Sequence, residues 1–406
     1  MANGEDQRRY IIVRSVEVPA AQTFQVLSSD HEVIAHESNL GVSMVTAPMT
    51  ADEAAQILNR PEVLMVREAQ PISIPNPVPE RVTAAAVSID GPFVMDFHNV
   101  NDLWAKGLRG RGVTVAVLDT GIDRQHAVNT FGGRIKAIQS FTGDDGYDQQ
   151  GHGTWCIGAV GDARYGYGAA PECTMLVGKV LGNDGNGSEE AIINAMNWAV
   201  SQGAQVISMS LGGSGTPDGP MALAATAAAA KGVVVVCAAG NSGYSGTNSI
   251  MAPAIGSGTL CVRAVDTNKN VAGFSSDGFH PGVGALGVNT LGLGLNGQFG
   301  RSLSGTSMAT PRVAGVAALL VQAGFTADKI RDTLISAAMG PRVSGSRGGW
   351  GIMDALATYN VLVQALTPDQ AVTPQPTPVT SAPDGASGED WLQRLNELLA
   401  ALLQPA

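Results

Sequence analysis

Five continuous apolar runs constrain the fold of this 406-residue chain more than any other feature of its sequence. A strand that is buried on both faces of a parallel sheet has such a run, because neither face meets water. Segments with helical periodicity lie between the runs, at residues 153–160, 189–202 and 221–231. This alternation predicts an α/β fold with a doubly wound, mostly parallel sheet, whose ligands bind at the carboxyl ends of the strands. The runs are residues 113–118, 175–180, 206–209, 233–238 and 260–264.

Polar residues follow several of these strands, at the sheet edge where a ligand would bind. Asp119 comes directly after the first run, and Asn241 follows the fourth run in a Gly-containing turn. His152 opens a predicted helix between two glycines, and Ser307 follows Gly305 at the start of another helix. A hydroxyl at a helix start lies beside unpaired backbone N–H groups and the positive end of the helix dipole. The sequence therefore directs a carboxylate, an amide, an imidazole and a hydroxyl toward the same region.

These four side chains have the roles that serine-dependent acyl transfer requires. Ser307 needs a base to take its proton, and His152 is the candidate base. Asp119 would orient His152, while the Asn241 amide and the Ser307 N–H would stabilise the oxyanion. Taken alone, Ser307 has a simpler interpretation as a helix cap, but the order Asp–His–Asn–Ser favours catalysis. An aspartic protease is excluded, since it needs two carboxylates of this kind and the chain has one Asp-Thr-Gly sequence.

The N-terminal part of the chain has the pattern of a separate, small domain. Residues 9–68 predict the order β-α-β-β-α-β, which is the split βαβ (ferredoxin-like) α+β arrangement. Thr50 and Glu53 predict a capping box at its second helix. Several prolines follow, and proline cannot donate to a strand ladder, so residues 71–92 are interpreted as an extended linker. We expect domains at residues 1–70 and 93–366.

The C-terminal residues have a different composition from the rest of the chain. Residues 367–388 are rich in Pro, Thr and Ser and predict a flexible linker. Residues 389–406 predict an amphipathic helix with a stripe of Trp and Leu. Its polar face lacks a cluster of Lys or Arg, so we expect it to pack or to dock a partner protein rather than to anchor the chain to a membrane.

Composition excludes several classes of partner. The net charge of −11 and the pI of about 5.0 argue against nucleic acid or an anionic membrane as the main ligand. No run of about 18 apolar residues predicts a membrane span. The four cysteines show no metal-type spacing and lie in apolar stretches, which favours buried, reduced thiols. With no secretory signal visible, we expect a cytoplasmic protein, or one that is exported by a route the sequence does not show.

The chain resembles the subtilisin family of serine proteases (subtilases), with an N-terminal propeptide. The resemblance rests on Asp-Thr-Gly at Asp119, His-Gly-Thr at His152, Ala-Gly-Asn ending at Asn241 and Gly-Thr-Ser-Met-Ala around Ser307. It covers about residues 93–365. It implies that a substrate backbone binds as an added strand between two segments of the protease. These substrate-binding residues are Gly185, Asn186 and Gly187 on one side and Ser210, Leu211, Gly212 and Gly213 on the other.

The resemblance also implies how the protein matures. Residues 9–68 resemble a propeptide that assists folding and then inhibits its own protease. The linker would pass through the active site, where cleavage in cis would free the mature enzyme. Protein or peptide substrates and the chain's own propeptide are the expected partners. No cofactor is required and no metal ligand is assigned, although weak structural calcium is compatible with the family.

Four positions depart from the family pattern or modify it. Trp155 stands where the family usually has His, and Cys156 beside it is close to the predicted base. The segment 161–168 is shorter than the usual calcium loop, so we expect calcium to add little stability. Met251 is expected at the base of the primary specificity pocket, where it would favour small or medium side chains.

The acidic pair Glu189 and Glu190 has two interpretations. The pair would lie at the rim of a substrate pocket and favour basic residues, or it would form the solvated start of a helix, where acids are favoured in any case. Two functional alternatives to an ordinary protease are a non-catalytic binding module with this fold and a latent protease that a partner releases.

Overall fold

The computed structural model of the chain describes residues 8–14, 34–36, 43–75, 91–243, 248–338 and 351–366. The chain divides into two compact units, Met1–Gln364 and Ala365–Ala406. The predicted linker at 367–388 and the predicted helix at 389–406 lie outside the described residues. Among the described helices, none is both long and apolar enough to cross a membrane.

Four antiparallel strands near the N-terminus form one sheet, in the order β2-β3-β1-β4. Helix α1 (Ala51–Leu58) joins β3 to β4, and β1 lies between these two strands. This strand order is that of the split arrangement that the sequence predicts. The predicted first helix, at residues 20–27, lies outside the described residues. The strands are β1 (Arg8–Arg14), β2 (Ile34–His36), β3 (Ser43–Met49) and β4 (Val63–Glu68).

The N-terminal sheet has two apolar faces, because side chains alternate along its strands. Ile12 packs in a cluster with residues of α1, while Ile11 and Val13 join a cluster of the main body. Helix α1 begins at the predicted capping box: Thr50 Oγ1 accepts the Glu53 N–H at 3.3 Å, and Glu53 Oε2 accepts the Thr50 N–H at 2.8 Å. The sheet is thus covered by its own helix on one face and by the main body on the other.

The start of the predicted linker is a strand. Residues Pro71–Ser73 form β5, which pairs antiparallel with β9 (Asn186–Ser188) in the main body. Proline was expected to prevent pairing, but Pro71 takes the first position of the strand, a position that proline tolerates. These residues are extended, as the linker interpretation expects, but they also pair with a strand of the main body. Residues 76–90 lie outside the described residues, and helix α2 (Gly91–Phe97) begins within the predicted linker.

A seven-stranded parallel sheet forms the centre of the described main body. Five of its strands match the predicted apolar runs to within one residue at each end, and all residues of β11 and β12 are buried. The sheet strands are β6 (Thr114–Asp119), β7 (Ile135–Ser140), β8 (Thr174–Lys179), β10 (Val206–Met209), β11 (Val234–Ala238), β12 (Leu260–Val265) and β13 (Gly282–Leu286).

The strand order positions the candidate site. It is β13-β12-β11-β10-β6-β8-β7, so the chain passes to opposite sides of the β6–β10 pair. Ligands bind outside the carboxyl ends of the strands at such a switch point. Asp119 is the last residue of β6, and Ser210 follows the last residue of β10.

Helices cover both faces of this sheet, as the doubly wound prediction requires. Helices α5 and α8 contribute to the core on one face, and α6 and α7 to the core on the other. Helix α8 is buried from Thr306 to Leu320. The helices that follow α2 along the chain are α3 (Val100–Ala105), α4 (Arg124–Asn129), α5 (His152–Gly161), α6 (Glu189–Ser201), α7 (Pro220–Ala230), α8 (Thr306–Gln322), α9 (Ala327–Ser336) and α10 (Ala355–Gln364).

Two sheet strands and one hairpin were not predicted. Strands β7 and β13 lie at the two edges of the main sheet. An antiparallel hairpin of β14 (Thr290–Leu293) and β15 (Phe299–Leu303) precedes helix α8.

Candidate active site

Asp119 and His152 form the centre of the site. The carboxylate of Asp119 is 1% exposed, and its Oδ1 lies 2.8 Å from His152 Nδ1. The same oxygen accepts the N–H of Thr120 at 2.8 Å. His152 is the first residue of α5 and is itself buried. This geometry assigns the proton of the neutral ring to Nδ1 and leaves Nε2 as the basic nitrogen.

The loop before α5 fixes the position of His152. Asp148 is buried, and its two oxygens accept the N–H groups of Gln150, Gly151 and Thr154 at 2.8–2.9 Å, together with the Thr154 hydroxyl at 2.7 Å. Asp148 therefore satisfies backbone donors at the helix start that would otherwise be unpaired. Sequence reasoning did not identify Asp148.

A glycine is needed directly after His152. A Cβ on Gly153 would lie 2.4 Å from the Gly121 carbonyl oxygen, which is too close for any other residue. Gly121 itself has φ +99°, a backbone conformation that favours glycine. The close approach of these two backbones lets the Gly153 N–H donate to Thr120 Oγ1 at 2.8 Å.

Ser307 lies in the first turn of α8, and its backbone carbonyl is free of the usual helical hydrogen bond. Pro311, four residues later, has no N–H to donate. The Ser307 carbonyl instead accepts the Ser210 hydroxyl at 2.9 Å and the Cys156 thiol at 3.6 Å. The Ser307 hydroxyl donates to the Ser210 carbonyl at 3.1 Å. Ser210 is thus bonded to both the backbone and the side chain of Ser307.

The Asn241 amide is oriented by the residue before Ser307. Its Oδ1 accepts the backbone N–H and the hydroxyl of Thr306, each at 2.9 Å. The amide nitrogen is therefore turned to the other side, where it lies 3.3 Å from the position of a Cβ on Gly305. Because the oxygen is already engaged, Asn241 presents an N–H donor beside the first turn of α8.

His152 Nε2 has no hydrogen-bond partner among the described residues, because the Ser307 hydroxyl is engaged with Ser210. Burial by itself would lower the pKa of His152. The adjacent Asp119 carboxylate outweighs burial and holds the pKa of His152 well above its ordinary value of 6.5. The structure thus brings Asp119 and His152 into contact and leaves the Ser307 hydroxyl turned toward Ser210.

Both predicted substrate-binding segments pair with residues 71–74 of the same chain. On one side Ile72 is opposite Gly187, and the Ile74 N–H donates to the Gly185 carbonyl at 3.0 Å. On the other side Ser73 exchanges two backbone hydrogen bonds with Gly212, at 3.2 and 3.4 Å. Residues 71–74 therefore lie as an added strand in the cleft where the family resemblance puts a substrate.

The remaining predicted substrate-binding residues lie in or beside this cleft. A Cβ added to Gly240 would lie 2.6 Å from the Met251 Sδ, and a Cβ added to Gly212 would lie 3.1 Å from the Met251 Cβ. Met251 thus fills the space between the residue before Asn241 and the substrate-binding segment. Gly213 forms a bridge with Ala252, and Leu211 is fully buried in the core beneath.

The acidic pair at the start of α6 binds the N-terminal domain. Glu189 forms an ion pair with Arg67, and Glu190 accepts two hydrogen bonds from Arg9 at 3.1 and 3.3 Å. The interpretation of the pair as solvated is wrong, since the Glu189 side chain is 0% exposed and that of Glu190 is 14% exposed. Burial raises the pKa of Glu189, although the Gln70 N–H and Arg67 oppose this effect.

One set of possible metal ligands exists among the described residues, and it belongs to the same site. One ligand atom from each of Asp119, His152 and Cys156 lies within 4.8 Å of the others. The Cys156 sulfur is 3.9 Å from His152 Nδ1, a nitrogen that already bonds Asp119. Burial raises the pKa of the Cys156 thiol, which disfavours the thiolate that a metal would need. The set fits a metal poorly.

The four cysteines are free and buried, as the sequence predicts. Trp155 is also buried; its ring Nε1 donates to the Arg301 carbonyl at 3.1 Å, and the Arg312 guanidinium lies over its ring. In the segment 161–168, the Asp162 carboxylate accepts the N–H groups of Arg164, Tyr165 and Tyr167. These oxygens are engaged by the backbone.

Comparison with known proteins identifies the family of this site. The model of the subtilase family matches residues 110–356, which include Asp119, His152, Asn241 and Ser307. The chain belongs to the subtilase family. This subtilase is therefore a serine endopeptidase, and its doubly wound sheet is the fold of that family.

Several known proteases are similar to the chain. Subtilisin DY of Bacillus licheniformis is 40% identical over 258 residues, which cover 61% of this chain and 91% of that protein. A thermostable alkaline protease of Halalkalibacterium halodurans is 33% identical over 340 residues, covering 82% of this chain and 87% of that protein. The major intracellular serine protease of Bacillus subtilis is 40% identical over 232 residues, covering 54% of this chain and 71% of that protein.

Proposed function

We propose that this subtilase is made as a self-inhibited precursor whose N-terminal domain blocks the cleft until the chain is cut. The single observation that supports this proposal is the pairing of residues 71–74 with both substrate-binding segments. The match to the alkaline protease also extends well beyond residues 110–356, the part that the family model spans.

In the proposed mechanism Ser307 is the nucleophile and His152 the general base. The Ser307 oxygen attacks the peptide carbonyl carbon, and its proton passes to His152 Nε2. Asp119 orients the ring and stabilises the imidazolium, while Asn241 and the Ser307 N–H donate to the oxyanion. The imidazolium then protonates the leaving amine, the C–N bond breaks, and water hydrolyses the acyl-enzyme by the same steps. These side chains supply the chemistry without a cofactor.

A proline favours inhibition over cleavage in this precursor. Ser73 is opposite Gly212, and continuing this antiparallel register by two residues brings Pro75 opposite Ser210. A residue there would normally donate its N–H to the Ser210 carbonyl, but proline has none. That carbonyl instead accepts the Ser307 hydroxyl, which is thereby turned away from His152 Nε2. We infer that a bound segment with Pro75 disarms the nucleophile.

Substrate preference at the residue before the scissile bond is proposed to depend on Met251. Its side chain takes up space beside Gly240 and Gly212, which supports a shallow pocket for small or medium side chains. Any structural calcium is proposed to be weakly bound, because Asp162 is already bonded to backbone donors.

The proposal is tested by intact mass over time for the wild-type chain beside Ser307→Ala. The wild type alone should lose about its first 70–95 residues as casein-cleaving activity rises. If both proteins stay whole and inactive, a trace of an unrelated active protease is added. Activity that then appears only in the wild type indicates a latent enzyme, and continued inactivity would refute the catalytic roles in favour of a binding module.

We propose a reducing compartment such as the cytoplasm for this protease. Its four cysteines are free and buried, and one relative is named as an intracellular protease. Immunodetection of the native protein in cell fractions tests this proposal. Recovery from the medium alone would contradict it.

A further inference from the structure

The indole of Trp155 lies between the helix that carries His152 and the segments that carry Ser307. Trp155 is the fourth residue of α5, three positions after His152, and it is 0% exposed. Residues three positions apart are neighbours on the surface of a helix. They are also separated by less than one helical turn, so a shift of the indole that moves this end of α5 also moves His152.

The first contact of the indole is with the β14–β15 hairpin, which leads into α8. Trp155 Nε1 donates to the Arg301 carbonyl on β15 at 3.1 Å. A Cβ added to Gly292 on β14 would lie 2.4 Å from the same nitrogen, so the ring lies directly against the backbone of that strand. Strand β15 ends at Leu303, and Ser307 follows four residues later. The hairpin that contacts Trp155 is thus joined to the nucleophile by a short segment.

The second contact of the indole is with α8 itself. The Arg312 guanidinium lies over the ring, with its carbon atom 5.4 Å from the ring centre. Arg312 is 1% exposed, and its Nε and both terminal nitrogens have no hydrogen-bond partner among the described residues. The face of an aromatic ring attracts such a cation through the negative end of its quadrupole. Trp155 therefore contacts the chain both before Ser307, at Arg301, and after it, at Arg312.

The same hairpin also contacts the loop before His152. Arg301 Nη1 donates to the Gln150 carbonyl at 3.2 Å, and Gln150 Oε1 accepts the His152 N–H at 2.8 Å. The hairpin is thus bonded to the chain on both sides of His152, through Gln150 and through Trp155. None of these contacts is to the substrate-binding segments at 185–187 and 210–213. A change at Trp155 is therefore expected to affect the chemical step rather than substrate binding.

We propose that Trp155 is a positioning residue that sets the distance between His152 Nε2 and the Ser307 hydroxyl. It does so by joining α5 to the hairpin before the nucleophile and to the helix that the nucleophile begins. The proposal rests on the proposed function, because it assumes that His152 takes the proton of Ser307. Proton transfer needs the two atoms within hydrogen-bond reach, and a misplacement of about 1 Å can lower a rate by about 10²-fold.

The test measures kcat and KM of the matured enzyme for a short peptide anilide, with kcat expressed per active site titrated with a fluorophosphonate. Trp155→Phe keeps an aromatic ring but removes the N–H that donates to the Arg301 carbonyl. We expect its kcat to fall about tenfold or more, with KM within about twofold of the wild-type value. A loss of folded protein alone would lower the number of titrated sites and leave kcat per site unchanged.

A second variant, Gly292→Ala, disturbs the same contact without altering Trp155. The added Cβ would lie 2.4 Å from the indole nitrogen and would push the ring away from β14. Its kcat should fall with little change in KM, as in Trp155→Phe. The matched control is Gly294→Ala, directly after the same strand, where the added Cβ would meet no atom closer than 3.7 Å apart from its chain neighbours. This control should keep the wild-type kcat and KM.

Trp104→Phe is the matched control for the loss of an indole N–H. Trp104 Nε1 donates to the Ala169 carbonyl at 2.9 Å, and the Arg109 guanidinium lies over its ring, with its carbon atom 4.8 Å from the ring centre. This indole makes the same two kinds of contact, but neither partner adjoins Ser307 in the chain. Trp104→Phe should therefore keep kcat per site within about twofold of the wild-type value.

The proposal is overturned if Trp155→Phe keeps the wild-type kcat per site, or loses no more of it than Trp104→Phe does. A loss confined to KM would overturn it as well. If Trp155→Phe yields no folded protein, Gly292→Ala beside Gly294→Ala decides by the same criteria.

Failure of the proposed function gives a different result, since the wild type then neither cleaves the anilide nor binds the fluorophosphonate. Positioning is in that case decided by crystal structures of the full chain, as wild type and as Trp155→Phe. Reacting groups must be held to within about 0.5 Å of their productive geometry. A change of more than about 0.5 Å in the distance from His152 Nε2 to Ser307 Cβ supports the proposal, and a smaller change overturns it.

Discussion

Ile72 is buried in the added strand that residues 71–74 form in the cleft, and truncating it should release the proposed block. Its side chain is 1% exposed, and its Cδ1 would be 2.7 Å from a Cβ on Gly213. Ile72→Ala removes three buried carbons, at about 0.8 kcal/mol each. Together with the unfilled cavity, the loss is about 2–4 kcal/mol. The closed state of the intact precursor should therefore be weakened by about 30- to 1000-fold.

The assay is the initial rate at which the freshly folded, intact chain cleaves a short chromogenic peptide. Intact mass at each time point shows that the N-terminal domain is still attached. Since activity of the intact chain is proportional to the small open fraction, the initial rate should rise by the factor given above as long as the closed state dominates. A rise of at least tenfold is expected.

Leu64→Ala is the matched control for this experiment. Leu64 lies on β4 of the same N-terminal sheet, but its side chain is 48% exposed. A surface truncation of this kind changes stability by about 0.5 kcal/mol, which corresponds to about a twofold change in rate. If Ile72→Ala is no more active than Leu64→Ala while both are intact, the cleft is not blocked by residues 71–74 and the reasoning is wrong.

Three further predictions concern catalysis and stability. Asn241→Ala should lower kcat by about 10²–10³-fold with little change in KM, which is the effect known for the corresponding donor of a subtilisin. An unchanged kcat would show that Asn241 does not stabilise the oxyanion. Asp119 holds the pKa of His152 well above 6.5, and only the neutral ring can accept a proton. The value of kcat/KM should therefore fall as the pH decreases through this raised pKa. A pH–rate profile whose acid limb lies below pH 6 would contradict the raised pKa. Removal of calcium with a chelator should change the melting temperature of the wild type by less than about 3 °C. The reason is that the Asp162 carboxylate already accepts three backbone N–H groups. A larger fall in the melting temperature would reveal a calcium site elsewhere.

The sheet could be predicted where its strands are buried on both faces. All residues of β11 and β12 are buried, so each reads as a continuous apolar run. Strand β7, at the sheet edge, is half-buried and carries Lys136 and Gln139, so it has no such signal. Strand β13 contains two glycines in five residues, and glycine has low strand propensity. Its pairing with β12 depends on tertiary contacts that local sequence does not report.

For the candidate site, the sequence could predict which side chains approach one another. Strand ends in a parallel sheet meet at one edge, which explains the contact of Asp119 with His152. The family resemblance predicted that the linker passes through the active site, but the local sequence did not predict that residues 71–73 form a paired strand. Residues 71–73 pair with residues 186–188, more than a hundred positions away, and Pro71 at their start favours a linker by local rules. The same long-range docking buries Glu189, which a helix-start pattern alone predicts to be solvated.

We propose that the hydrogen bonding of the Ser307 hydroxyl depends on which segment occupies the cleft. The Ser210 carbonyl can accept from the Ser307 hydroxyl or from the N–H of a bound residue opposite it. A proline there leaves the carbonyl to Ser307, and His152 Nε2 then lacks its partner. We propose that a residue with an N–H, which would also donate to this carbonyl, weakens its bond from the Ser307 hydroxyl and lets the hydroxyl turn toward His152. The strand hydrogen bonds at Ile74 and Ser73 do not involve Pro75, so we propose that the missing N–H of Pro75 is what distinguishes this bound segment from a substrate that follows the same register.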